Sequence, residues 1–172
     1  MAENLAKTAG MIDEIFSLAD HEFNVEEFND RLLAQKGVYL LNLARVGPVY
    51  NFTRYIRGPY SRDLADAYYK ISEKNIAPEH IDIPEDVKSD LKYILAQGLE
   101  YTEALATILV VAETNRNISG KELIETTIRL KPHLKDHVEG AYKYLENNKH
   151  YSTLIRATWL LSAINLMMCT EM

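Results

Sequence analysis

Apolar residues recur at three-to-four spacing through Leu5, Ala9, Ile12, Phe16 and Ala19, the pattern of a helix with one buried face. Asp20-His21-Glu22 breaks it. A second start follows: Asn24 as cap, Glu27 three residues on, and Phe23 and Phe28 placed as a hydrophobic staple. That helix carries Leu32, Leu33, Val38, Tyr39, Leu40 and Leu43 until Gly47-Pro48 stops it. Pro84, Glu85 and Asp86 suit a first helical turn, and Val87, Leu91, Ile94 and Leu95 form the stripe behind them. From Leu105 to Ala112 only Thr107 is polar, which predicts a central helix buried on most sides. Ser119 and Glu122 read as a capping box with Ile118 and Leu123 as its staple, and Pro132 ends the helix they open. Leu134, Val138, Ala141, Tyr142 and Leu145 mark another helix, and Ser152 precedes the last. The apolar run from Ala157 to Cys169 reads as a buried core helix, because it is shorter than the ~20 residues a membrane span requires.

Extended structure has little room. Tyr50, Phe52 and Ile56 alternate within Val49 to Arg57, and His80 to Ile83 is a second short candidate. Paired with each other, the two would make a small ribbon. Gly58-Pro59 then reads as a turn, Ser61 as the N-cap of the next helix, and Asp63 as an acid in its first turn. The predicted fold class is mainly α: a single globular domain over 1–172 of about eight helices, with room for one short two-stranded β-ribbon.

Composition changes this picture in one place. The net charge is −6, yet the window from Asp30 to Asn75 is +4, leaving −10 elsewhere. Such asymmetry can mark a partner surface, while surface charge also serves solubility. Within the window Arg54, Arg57, Tyr60 and Arg62 cluster beyond what a corner built by Gly58, Pro59 and Ser61 requires. These four are the candidate partner-binding side chains, since Arg and Tyr combine contact area with directed hydrogen bonds. The lone Cys169 permits no internal disulfide, and the start of the chain lacks the layout of a secretory signal, so a cytoplasmic location is expected.

The stretch RLLAQKGVYLLNLARVGPVYNFTRYIRGPYSRDLADAYYK resembles the YwgA-like proteins, which are distantly similar to the Panacea (DUF4065-type) antitoxin domain. The matching residues are Gln35, Lys36, Tyr39, Leu40 and Leu41, then Phe52, Tyr55, Gly58, Pro59, Tyr60, Ser61 and Leu64. The resemblance implies a module that acts by contact with a partner protein, as Panacea domains neutralise theirs. It implies no catalytic residues.

Other chemistry is thinly signalled. His133 and His137 stand four apart, but H-L-K-D-H is not H-E-x-x-H and no third ligand is indicated, so no metal site is assigned. No phosphate-binding glycine pattern occurs, and no cofactor is indicated. Glu26-Glu27, Glu85-Asp86 and Asp63/Asp66 have helix-start or solvation explanations. Tyr142, Tyr144 and Tyr151 are read as packing rings with wet hydroxyls. The function expected from these residues is a non-enzymatic interaction or regulatory protein, antitoxin-like in character, with a protein partner and with homo-oligomerisation left open. The alternative is a winged-helix-like nucleic-acid binder, its phosphate contacts supplied by the +4 window.

Overall fold

The computed structural model describes residues 2–115, 118 and 120–155. The helix expected over 157–169 with Cys169, and the cap expected at Ser119, lie outside the described residues. The elements that lie wholly among the described residues are α1 (Ala2–Leu18), α2 (Phe28–Leu43), α3 (Arg62–Glu73), α4 (Glu85–Ala96), α5 (Leu99–Thr114), α6 (Gly120–Leu130), the 3-10 turn Pro132–Leu134, and α7 (Lys135–Asn147). Strands β1 (Thr53–Tyr55) and β2 (Gly58–Tyr60) form one antiparallel ribbon between α2 and α3. The mainly helical architecture is as the periodicity predicts. No helix among the described residues is long and apolar enough to cross a membrane.

α5 is the axis of the fold. Every residue from Tyr101 through Ala112 is buried, because α2, α4, α6, α7 and β2 pack around it. Its apolar surround leaves no face for water, which is why the sequence shows a nearly unbroken run rather than a stripe. α1 covers the other side of α2 and also meets α3 and α4. One continuous core results, from Met11 in α1 to Ile155 after α7.

Two local expectations are corrected. The second helix starts at Phe28, four residues beyond Asn24, and its N-cap Glu27 makes no side-chain capping bond. Asn24 instead folds a tight turn, its Oδ1 accepting from the Glu26 N–H at 3.0 Å. The buried carboxylate of Asp30 reaches back to accept from the Asn24 N–H at 2.8 Å and lies 3.1 Å from His21 Nε2. No staple forms: Phe28 is exposed, while Phe23 packs edge-on against Phe16 and Tyr68. The physical reason is Val25, which enters the core before the helix can begin.

The second correction concerns the ribbon. His80 to Ile83 is not a strand and does not pair with 49–57. It is an irregular connector that buries Ile81 and Ile83, with Ile81 beside Gly10 of α1, after Glu79 N–H donates to the Ala6 carbonyl at 2.9 Å. Gly10 permits this approach, since a Cβ there would stand 1.8 Å from the Glu79 oxygen. The ribbon is a local hairpin instead, with Thr53 opposite Tyr60, Arg54 opposite Pro59 and Tyr55 opposite Gly58.

Candidate functional site

The hairpin turns at Ile56-Arg57, one step before the Gly58-Pro59 corner that the sequence suggests. Neither turn residue has a positive φ; Gly58, at +86°, supplies the left-handed conformation that closes the turn and opens β2. A Cβ at Gly58 would also stand 2.9 Å from Thr107 Oγ1 on α5. Ser61 does cap α3, its hydroxyl accepting from the Leu64 N–H at 3.4 Å.

Three buried side chains fasten this ribbon to the helices. Gln35 exchanges two hydrogen bonds with the Ser61 backbone, donating to its carbonyl at 2.9 Å and accepting from its N–H at 2.8 Å. Lys36 donates from Nζ to the Pro59 carbonyl at 2.9 Å. Lys131, where α6 gives way to the 3-10 turn, donates to the Ile56 carbonyl at the hairpin tip. A backbone carbonyl buried without a donor is costly, so these contacts satisfy the ribbon's carbonyls as they position it. The Q-K and G-P-Y-S segments of the sequence are therefore the two halves of one joint.

The joint is charged. Lys36 is 1% exposed, and Lys131 shares the Glu103 carboxylate at 3.0 Å, with both of those side chains almost fully buried. Glu103 lies in the buried stretch of α5, and His133 Nε2 stands 3.7 Å from it. Lys36 is not in contact with this carboxylate but feels its charge. Burial pushes the Lys36 ammonium down to about 7; Glu103 opposes this, and Lys131 and Arg57 add repulsion in the same sense as burial. Lys131 is also lowered, by burial first, with its hydrogen bond and attraction to Glu103 opposing.

The four predicted partner-binding residues are not on one face. Arg54 lies opposite Pro59 in the middle of β1. There it borders a cavity of about 430 Å³ with Tyr55, Ile56, Thr107, Leu130 and Lys131. Tyr60 is half-buried, its ring 5.4 Å from that of Tyr55. Arg57 projects at the tip and Arg62 opens α3, both exposed. Arg54, Arg57 and Arg62 have no ion-pair partner among the described residues.

Glu103 and Lys131 were not found by motif reasoning. The available signal was a carboxylate inside the apolar stretch that begins at Tyr101, which demands a buried partner. Elsewhere, His133 and His137 do not share a helix face: His133 lies in the 3-10 turn and faces Glu103, whereas His137 in α7 faces Glu100 at 3.2 Å. Among the described residues no three His, Cys, Asp or Glu side chains converge as metal ligands would. Tyr144 stacks on Tyr93 at 4.8 Å and donates to Asp90 at 2.9 Å, Tyr151 is buried outright, and Tyr142 keeps its hydroxyl at the surface, donating to Glu146 at 3.3 Å. A second cavity, about 500 Å³ between α1 and α3, sets Asp13, His21 and Glu22 around an apolar floor of Ile12, Phe16 and Phe23. Comparison with known protein families, with curated proteins and with solved structures finds no match.

Proposed function

We propose that this chain is a non-enzymatic, cytoplasmic interaction module that presents its hairpin to an acidic surface of a partner protein. One observation carries the reading. Arg57 and Arg62, exposed and without ion pairs among the described residues, flank the Tyr55–Tyr60 ring pair and the 73% exposed Ile56, on a ribbon held rigid from beneath. Exposed Arg and Tyr on a preorganised element lose little freedom on binding, so their contacts are retained as affinity. The local positive charge within an acidic chain favours an acidic partner and speeds encounter. The resemblance to YwgA-like and Panacea domains supports the same mode of action, an antitoxin-like neutralisation by contact. A nucleic-acid reading is less well supported, because α3, next to the ribbon, exposes Asp63, Asp66 and Glu73 among its basic residues.

The test is affinity capture from native extract with wild type, with Arg57→Ala/Arg62→Ala, and with Lys92→Ala on α4 as control. The arginine pair should keep its melting temperature yet recover at least ~10-fold less partner, since two hot-spot contacts of about 1 kcal/mol each suffice for that. The control should capture normally. Undiminished capture by the arginine pair would sink the proposal, and a low-salt nucleic-acid gel shift abolished by the same pair would replace it.

A further inference from the structure

The cavity beside the hairpin has a composition that the protein-contact reading does not use. Its lining holds two cations, Arg54 and Lys131, and no carboxylate. Lys131 spends N–H donors on Glu103 and on the Ile56 carbonyl, which leaves one of a lysine's donors over. None of the guanidinium N–H donors of Arg54 is used within the described residues, and its planar fork suits a two-oxygen acceptor. The remaining wall is apolar: Ile56, Leu130 and the ring of Tyr55, all substantially exposed. Thr107 closes the floor, its hydroxyl committed to the Glu103 carbonyl at 2.7 Å. A volume of about 430 Å³ is in the range of small-molecule sites.

We propose that this cavity binds a small organic anion, its carboxylate or phosphate head held between Lys131 and Arg54 and its apolar body against Ile56, Leu130 and Tyr55. The head supplies the acceptor the two cations lack, and the body covers apolar surface that an inorganic ion would leave wet. Carboxylate and phosphate heads share this chemistry, and titration separates them.

Isothermal titration at constant ionic strength would use benzoate, phenyl phosphate, inorganic phosphate and phenol, with chloride as background. Saturable binding is expected for benzoate or phenyl phosphate, and the tighter of the two assigns the head. Inorganic phosphate and phenol should each bind at least ~10-fold more weakly, because one lacks the body and the other the charge. Lys131→Met risks unfolding by stranding Glu103, so the variants are Arg54→Gln, whose side chain is exposed, and Leu130→Trp, which fills the cavity. The first should weaken binding about 10-fold, as expected for loss of a bidentate charged contact, and the second should abolish it. Absence of saturable binding by both aromatic anions overturns the proposal. So does phenol binding as well as benzoate, or wild-type affinity in both variants. No partner protein is needed and Arg57 and Arg62 stay intact, so this result is independent of the hairpin's role in capture.

Discussion

Replacing Lys36 by Met should stabilise the protein at mildly acid pH and lose that advantage as the pH rises. The buried ammonium of Lys36 holds its proton only up to about 7, against 10.5 for a free lysine. That gap corresponds to roughly 5 kcal/mol between its charged and neutral forms in the folded chain. Below the lower value both folded and unfolded chains are protonated, and the folded state carries the full cost of the buried charge. Between the two values the unfolded chain holds more protons, so wild-type stability rises with pH, at up to ~1.4 kcal/mol per unit. Met keeps the aliphatic bulk and has no charge, but it leaves the Pro59 carbonyl without its donor, at a cost of about 1–3 kcal/mol. Near pH ~6 the variant should therefore be the more stable by about 2–4 kcal/mol. By pH ~9.5 wild type should have regained about 3 kcal/mol, bringing the two proteins to within about 1 kcal/mol of each other. Urea unfolding at a series of pH values measures both curves. Readings stop below pH ~10, because burial raises the phenols of Tyr39 and Tyr151 and their linkage lowers stability above that point. Parallel curves for the two proteins would refute the reasoning, since they would mean that Lys36 keeps one charge state throughout.

Two further substitutions probe the same joint. Gln35→Leu leaves the N–H of buried Ser61 without a partner and its carbonyl with the Ala65 N–H alone, and should cost about 1–3 kcal/mol with faster amide exchange at Ser61; unchanged stability would mean that water replaces the side chain. Gly58→Ala places a Cβ on a left-handed residue and against Thr107, and should lower stability by about 1–3 kcal/mol in thermal or urea melts; a neutral result would show that the turn can re-form without a positive φ.

Much of the scaffold could be read without coordinates. α5 was legible because a run of apolar residues longer than a strand has few other homes, and the Ser61 cap was legible because capping is a contact over three residues. The start of α2 was misread for a related reason. Asn24 and Glu27 have the right spacing for a box, but Val25 between them is drawn into the core, and that burial depends on helices elsewhere. The candidate site was legible only as residues. Gln35 and Lys36 stand out by resemblance, yet on a helix two adjacent polar residues ordinarily face water. Arg54 and Arg57 are close in sequence, yet the hairpin sets Arg54 beside the cavity and Arg57 at the tip.

The sequence by itself determined the helical class, most helix ends and the position of the Gly58 corner to within one residue, because periodicity, caps and turns act over a few residues. The tertiary structure alone decided that Lys36 would be buried, that Glu103 would pair with Lys131, and that a cavity would open beside Arg54. Those outcomes join positions 23 residues apart for Lys36 and Pro59, 28 for Lys131 and Glu103, and 75 for Lys131 and Ile56. Contacts over such separations leave no period in the chain. They arise only when packing excludes water and each buried charge or carbonyl must take whatever partner the fold brings within reach.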